Sequence, residues 1–294
     1  MSILLNRETR VLVQGITGRV GQAQTKWMLE YGTNIVAGVT PGKGGEEVEG
    51  VPVYNTVAEA VTARKADASV FFVPPPAVKD AVRETIESGI RLIVVITEHV
   101  PVHDVMELRA YAMNQEVQIL GPTSPGIITP GQAKIGIMPG NMFRPGRIGV
   151  ISRSGTLCYE ICADLAEAGL GQSTAVGMGA DPVVFTSMPE LMALFDQDPD
   201  TELVVIVGEV GGTQEENAAR FITRRMTKPV VAYIAGHDAP EGKRMGHAGA
   251  IIQSSMGTPQ SKSAALRQAG VEVAEYPLEV VNLVRRRLLS QPIA

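Results

Sequence analysis

The chain has 294 residues, of which 45% are hydrophobic and 19% charged, and its formal net charge is −5. This length corresponds to about two domains, and the composition excludes a disordered or a collagen-like chain. The net negative charge gives no reason to expect a nucleic-acid partner, because proteins that bind nucleic acids carry clustered Lys and Arg.

Short apolar runs alternate with amphipathic helical segments along the whole chain. In the first half, we predict strands at 11–16, 34–39, 68–73, 92–97 and 117–120, and helices at 20–31, 56–64, 77–88 and 103–113. In the second half, we predict strands at 148–152, 173–177, 203–207, 230–234 and 271–274, and helices at 155–168, 190–195, 214–226, 259–269 and 278–289. Continuous apolar strands separated by helices are typical of parallel sheets covered on both faces. The pattern therefore predicts an α/β fold with two doubly wound domains.

A segment rich in glycine and proline separates the two series of strands. Residues 121–147 contain five prolines and show no helical period. We therefore predict a first domain at 1–122, a linker at 123–146 and a second domain at 147–294.

Two further features bear on the cellular compartment. Cys158 and Cys162 lie four positions apart in a predicted helix, which indicates free thiols and a reducing environment. The N-terminal apolar run is too short for a signal peptide, and no run approaches the ~20 residues that cross a bilayer. We expect a cytoplasmic protein without a membrane partner.

Gly15, Gly18 and Gly21 follow the first predicted strand and begin the first helix. Such a turn can bind an anion, but the spacing differs from the dinucleotide pattern GxGxxG, and a plain tight turn is the alternative. Lys43 lies in the loop after the second strand, where NAD-binding domains carry an acidic residue. A lysine there favours a ligand with an additional phosphate, unless it is only a solvated side chain.

Two turns in the second half repeat the strand–turn–helix form. Residues 152–156 and 208–213 combine hydroxyl residues and glycines before a helix, a pattern that favours phosphate binding.

His247 lies between Gly246 and Ala248, so a large group can approach its ring, and imidazole can act as a covalent nucleophile. The alternative is a structural histidine in a loop. No set of His, Cys, Asp and Glu has metal-ligand spacing, so we expect no metal in this chain.

The motifs occur together, and in this order, in one known family. Residues 15–18, 39–45, 152–157, 208–212 and 243–251 carry the resemblance. Over essentially its whole length the chain resembles the α subunit of succinate–CoA ligase. The resemblance implies an N-terminal Rossmann-like CoA-binding domain and a C-terminal flavodoxin-like ligase domain that carries a phosphorylated histidine.

The resemblance also implies a reaction and a set of residues. The reaction is the reversible step of the tricarboxylic acid cycle in which succinate, CoA and ATP or GTP give succinyl-CoA, ADP or GDP, and phosphate, through an acyl phosphate and a phosphohistidine. The implied CoA contacts are Thr17, Gly18, Arg19, Val20, Lys43, Ile96, Thr97 and Glu98. His247 would carry the phosphoryl group, Glu209 would orient its ring, Ser154 and Gly155 would bind the phosphoryl group, and Tyr159 would contact the carboxylate substrate. A β subunit of the ATP-grasp type would supply the nucleotide site and Mg²⁺.

Some positions depart from the family pattern near the expected active site. Thr123 and Ser124 replace a usual Asn-Cys pair, Ala180 replaces a usual glycine, and His99 stands where glycine is common. A malate–CoA ligase or another dicarboxylate–CoA ligase α subunit is therefore an alternative. A non-catalytic CoA-binding regulator is another, but it would not need the second domain. Lys43 also permits an NADP-dependent reductase, but nothing in the sequence resembles a hydride-transfer site.

Overall fold

The first half of the chain builds a seven-stranded sheet, seen in a computed structural model that describes residues 2–252 and 257–290. Its elements are β1 (Val11–Gln14), α1 (Arg19–Tyr31), β2 (Ile35–Val39), β3 (Glu47–Val48), β4 (Val51–Tyr54), α2 (Val57–Arg64), β5 (Ala68–Phe71), α3 (Val78–Glu87), β6 (Leu92–Val95), α4 (Val102–Ala112) and β7 (Gln118–Leu120). The strand order is β3-β4-β2-β1-β5-β6-β7, and all strands but β3 run parallel. Counted along the chain, the parallel strands follow the Rossmann order, which reverses between β1 and β5.

The second half builds another seven-stranded sheet. Its elements are β8 (Gly126–Thr129), β9 (Ala133–Gly136), β10 (Pro145–Ser152), α5 (Gly155–Glu167), β11 (Gln172–Gly177), α6 (Met188–Gln197), β12 (Leu203–Gly208), α7 (Gln214–Arg225), β13 (Val230–Ile234), α8 (Pro259–Gln268), β14 (Glu272–Ala274) and α9 (Glu279–Leu289). The order is β14-β13-β12-β10-β11-β8-β9, and the five strands from β10 to β14 are parallel. They follow the flavodoxin order, which reverses between β10 and β12. The predicted fold class is confirmed.

Each predicted strand and helix is present, with ends shifted by at most three residues. The largest shift is at β10, which begins at Pro145 rather than at 148. Helix α6 begins two residues before its predicted start, because Pro189 fits the first turn and Ser187 forms a capping box with Glu190. Cys158 and Cys162 are buried free thiols, as predicted.

The segment predicted as a linker, residues 123–146, contains secondary structure that the sequence pattern did not indicate. Strands β8 and β9 form a buried antiparallel hairpin, and β8 pairs with β11 of the second sheet. Gly126 has φ +110°, and a side chain there would meet the backbone of the facing strand β9. The close approach of the two strands explains why this hairpin is rich in glycine. The domain limits at 122 and 147 stay a prediction.

The two sheets share a continuous apolar core. One cluster of buried side chains includes Val94 of the first sheet together with Ile127 and Val176 of the second. Thr33, just after α1, donates through its hydroxyl to the carbonyl of Lys134 in β9 over 2.7 Å. This shared packing holds the carboxyl edges of the two sheets in a defined relation. None of the helices within residues 2–252 and 257–290 has the length and apolar character needed to span a membrane.

Candidate active site

The first group of predicted residues lies at the carboxyl edge of the first sheet. Gly15 has φ +72°, and a Cβ there would approach the Phe72 carbonyl oxygen to 2.5 Å, so the turn after β1 requires glycine. The Thr17 hydroxyl lies 3.1 Å from that of Thr40 after β2. Gly18 is the N-cap of α1, and no side chain of the described residues caps this helix. The first N–H groups of α1 therefore point to the sheet edge, where they can bind an anion.

Lys43 lies on the neighbouring loop, after β2. Asn55 holds this loop, because its Oδ1 accepts from the N–H groups of Gly42 (2.9 Å) and Gly44 (3.0 Å). The Lys43 ammonium is 2.9 Å from Oε1 of Glu46, and both side chains are half exposed. An exposed ion pair of this kind stabilises by about 0–1 kcal/mol, so a phosphate can displace Glu46.

Ile96, Thr97 and Glu98 follow β6, on the other side of the point where the strand order reverses. The Thr97 hydroxyl donates to the Val73 carbonyl over 2.9 Å, which ties this loop to the loop after β5. The Glu98 side chain is largely exposed. The structure thus places the predicted CoA residues at one sheet edge, on loops and, for Arg19 and Val20, in the first turn of α1. They lie on both sides of the position where open α/β sheets bind ligands.

The turn after β10 opens helix α5. The Ser154 hydroxyl caps α5 by accepting from the N–H of Leu157 over 3.4 Å, and helical residues begin at Gly155. The Tyr159 hydroxyl lies 3.5 Å from the position that a Cβ would take at Gly155, so it sits over the start of the helix. Burial raises the pKa of Tyr159, which keeps this phenol neutral. A helix N-terminus with a neutral hydroxyl beside it suits a phosphate or a carboxylate.

Glu209 follows β12 directly and meets His247. Oε2 of the nearly buried Glu209 is 3.0 Å from Nδ1 of His247, whose side chain is about one-third exposed. The hydrogen bond to Glu209 is the main cause that raises the pKa of His247 above its ordinary value, and burial opposes it. With the proton on Nδ1 the ring donates to the carboxylate, so Nε2 keeps its lone pair and can act as a nucleophile.

Arg153 is a buried residue of the site for which the sequence predicted no role. Its Nη1 donates to the carbonyls of Glu209 (3.1 Å) and Gly211 (2.7 Å) and to Oε1 of Glu215 (3.0 Å), and its Nη2 is 3.6 Å from Oε1 of Glu209. Lys262 of α8 also bonds to Glu215. Although burial opposes ionisation of Glu215, the two cations hold its pKa below its usual value. Arg153 lies within the Ser-Arg-Ser turn that the sequence analysis identified as a phosphate-binding pattern. That turn was therefore the sequence signal that could have pointed to Arg153.

A cavity of about 430 Å³ lies beside the His247 loop, between residues 181–182, the start of α7 and the loop. Its lining includes Arg153, Asp181, Thr213, Arg244, Ala248 and Gly249. Burial raises the pKa of Asp181, and the charges of His99, Glu98 and His247 act on the same carboxyl group. Asp181 is therefore close enough to both the loop after β6 and His247 to be influenced by their charges.

Two of the departures from the family pattern meet at this junction. The Thr123 hydroxyl donates to Oδ1 of Asp181 over 2.8 Å. His99 is exposed and has φ +61°, a backbone conformation that favours glycine. Among residues 2–252 and 257–290, no group of three or more His, Cys, Asp and Glu is arranged to hold a metal ion.

Two family models match the chain, and together they define its class. A CoA binding domain matches residues 6–99, and a CoA-ligase domain matches residues 151–272. The first covers strands β1 to β6 of the Rossmann-like sheet, with the loops after β1 and β2 and residues 96–99 after β6. The second covers the turn before α5 together with Glu209 and His247. The two domains together are those of a CoA-ligase subunit.

Several curated relatives match over nearly the full length. The α subunit 1 of succinate–CoA ligase [ADP-forming] from Archaeoglobus fulgidus is 52% identical over 98% of this chain and 99% of its own length. The corresponding α subunit from Aquifex aeolicus is 52% identical over 98% of this chain and 95% of its own. That from Methanothermobacter thermautotrophicus is 53% identical, with 97% of both chains covered. This chain belongs to the family of succinate–CoA ligase α subunits.

Solved structures with the same architecture include an ATP citrate lyase from Methanosaeta concilii in complex with (3S)-citryl-CoA. It superposes with a TM-score of 0.88 at 25% identity over 99% of this chain. This chain spans about half of that protein, 52% of its length. A dinucleotide-forming acetyl-coenzyme A synthetase from Ca. Korarchaeum cryptofilum shares the fold, with a TM-score of 0.70 at 21% identity over 94% of this chain and 60% of its own.

Proposed function

We propose that this chain is the α subunit of an ADP-forming succinate–CoA ligase and that His247 carries the phosphoryl group. The reaction is succinate + CoA + ATP = succinyl-CoA + ADP + phosphate, and it is reversible. The observation that carries the proposal is the 3.0 Å contact between Glu209 Oε2 and His247 Nδ1. The curated relatives described above bear the name of this activity, and their ADP-forming designation supports ATP as the nucleotide.

Three group transfers account for the reaction. First, Nε2 of His247 takes the γ-phosphoryl group of ATP and ADP leaves, while Glu209 accepts the Nδ1–H hydrogen bond. Second, a succinate carboxylate oxygen takes the phosphoryl group from Nε2, which gives succinyl phosphate and restores the neutral ring. Third, the CoA sulfur attacks the carbonyl carbon, the bond from carbon to the phosphate oxygen breaks, and the thiol proton leaves with the phosphate.

The residues around His247 supply charge stabilisation and placement. We assign Ser154 and Gly155 to the phosphoryl group, because the N-terminus of α5 stabilises an anion by about 0.3–1 kcal/mol when exposed and up to ~2 kcal/mol when partly buried. Tyr159 beside this helix start is assigned to the succinate carboxylate. Thr17, Gly18, Arg19, Val20, Lys43, Ile96, Thr97 and Glu98 are assigned to CoA. The free N–H groups of α1 and the Lys43 ammonium provide its phosphate contacts.

The curated relatives are α subunits of a two-subunit ligase, which implies a β partner. We propose that this partner is of the ATP-grasp type and holds the nucleotide with Mg²⁺, and that the complex is cytoplasmic. The α chain alone is then expected to show no ligase turnover, because it carries no P-loop sequence for a phosphoryl donor. The relatives do not favour malate as the carboxylate. A regulatory CoA-binding protein would have no use for the Glu209–His247 pair.

The proposal is tested by labelling the assembled α/β complex with [γ-³²P]ATP. We expect acid-labile, base-stable label on this chain, and its loss when CoA and succinate are added together. His247→Asn should abolish labelling and turnover but retain CoA binding. His103→Asn, which alters an exposed histidine on α4, is the matched control and should label normally. Labelling of His247→Asn would place the phosphoryl group elsewhere, and faster discharge with malate than with succinate would change the substrate.

A further inference from the structure

A short series of hydrogen bonds connects the CoA edge to the histidine loop. The carbonyl of Thr97 accepts from the N–H of Thr123 over 3.1 Å. The Thr123 hydroxyl donates to Oδ1 of Asp181 over 2.8 Å. The carbonyl of Ala180 accepts from the N–H of Gly249 over 3.1 Å. The series therefore begins in the loop after β6 and ends two residues from His247.

The middle of this series is held rigidly. Ser124 donates from its N–H to the carbonyl of Val95 (3.3 Å) and from its hydroxyl to the carbonyl of Gly177 (2.5 Å). Ser124, the residue directly after Thr123, is thus fixed to the ends of β6 and β11. Asp181 is only 8% exposed, so protein covers most of its surface, although the residue also lines the cavity beside His247. An unsatisfied buried acceptor is costly, which makes this side-chain contact an effective constraint.

We propose that Thr123 and Asp181 form a positioning pair that sets the distance between the CoA loop and the His247 loop. This inference rests on the proposed function. The pair touches neither the reacting phosphorus nor the thiol, so it acts through the two loops that it connects. Its effect falls on the step in which the CoA sulfur must reach the acyl phosphate formed beside His247. Phosphoryl exchange between ATP and His247 does not involve the CoA loop and is left unaffected.

The test is Thr123→Val in the assembled α/β complex, because valine keeps the branched shape and removes the hydroxyl. We expect normal labelling by ATP and normal discharge by ADP, but about tenfold slower discharge by CoA with succinate. Thr123→Ser should restore the rate. Thr129→Val is the matched control, because it removes another buried hydroxyl, one that donates to the Leu5 carbonyl over 2.8 Å, and it should discharge at the wild-type rate.

Substitutions of Asp181 provide an independent test of the positioning pair. In Asp181→Asn the amide oxygen still accepts from Thr123, so discharge by CoA should stay within about threefold of wild type. In Asp181→Ala it should slow as in Thr123→Val, and the double variant should be no slower than either single one, because both remove the same contact.

The outcomes separate this inference from the function on which it rests. A wild-type complex that ATP does not label would overturn the proposed function, and the positioning pair with it. With a labelled wild type, an unchanged discharge of Thr123→Val by CoA would overturn the positioning pair alone. Equal losses in the ADP and CoA reactions would do so too, since they indicate general damage. Loss of discharge in Asp181→Asn would show that the charge of Asp181, and not its bond to Thr123, is required.

Discussion

Nη1 of Arg153 lies 3.0 Å from Oε1 of Glu215, and both side chains are buried directly behind Glu209. Lys262 bonds to the second oxygen of the same carboxylate, and the N–H of Glu209 donates to Oε1 of Glu215 over 3.1 Å. One buried anion thus pairs with two buried cations, whose further acidic partners are Glu209 and Glu216. It also fixes the backbone of Glu209, the residue in contact with His247. The contact between Glu209 and the candidate nucleophile is therefore supported by a buried ionic cluster.

Glu215→Gln should therefore destabilise the protein strongly. Removing one partner of a buried ion pair leaves uncompensated charge and typically costs about 3–5 kcal/mol. We expect a loss of this size in the free energy of unfolding in urea. The matched control is Glu202→Gln, which breaks the more exposed pair with Arg147 (2.6 Å) and should cost about 0–1 kcal/mol. Similar stabilities for the two variants would contradict the importance of the buried cluster.

Lys43→Ala should weaken CoA binding without affecting phosphorylation of His247. A charge-assisted contact between an ammonium and a phosphate contributes about 1.5–3 kcal/mol, so the apparent KM for CoA should rise by about tenfold or more. The rate of labelling by ATP should stay unchanged, because Lys43 lies on the first sheet, away from His247. Steady-state kinetics with varied CoA and a labelling time course measure the two effects.

Glu46→Gln is the comparison for Lys43. It removes the carboxylate that holds the Lys43 ammonium at 2.9 Å and so frees the cation for a phosphate. The KM for CoA should then equal or fall below that of the wild type. A KM that rises equally in both variants would mean that the loop conformation, and not the charge of Lys43, determines affinity.

The fold could be predicted where strands are buried on both faces. β13 has its predicted bounds, because a parallel strand inside a sheet is a continuous apolar run. β4 has no such signature, since Gly50 and Pro52 in and beside it are typical of a loop. The hairpin β8–β9 escaped prediction for a similar reason, because its glycines serve close strand approach and resemble those of a linker.

The candidate site was predictable only as separate pieces. Local motifs and the family resemblance identified Glu209 and His247, but their contact joins residues 38 positions apart and depends on where the sheet places each loop. Arg153 and Asp181 received no role, because their functions come from Glu215 on α7 and from Thr123 near the domain junction. When the role of a residue depends on a partner far away in the sequence, the residues next to it in the sequence give little indication of that role.

Glu209→Gln should change the pH dependence of His247 phosphorylation. Glu209 raises the pKa of His247 above about 6.5, and only the neutral ring is nucleophilic. In the wild type, labelling should therefore fall as the pH drops through a midpoint above 6.5. In the variant the stabilising carboxylate is absent, while burial and Arg153 still disfavour the charged ring, so the midpoint should move to lower pH. The plateau rate should fall by about 10–100-fold, because the glutamine amide can donate to Nδ1 and place the proton on Nε2.

Glu98→Gln provides the matched comparison for this effect. Glu98 raises the pKa of His247 through its charge alone and makes no hydrogen bond to the ring in the part of the chain that the structure describes. Its removal should lower the midpoint less than Glu209→Gln does and leave the plateau rate of labelling unchanged. Rapid-quench labelling of both variants, from about pH 5.5 to 8.5 so as to span the histidine titration, measures both quantities. A plateau that survives in Glu209→Gln would show that Glu209 sets only the charge of His247 and not its tautomer.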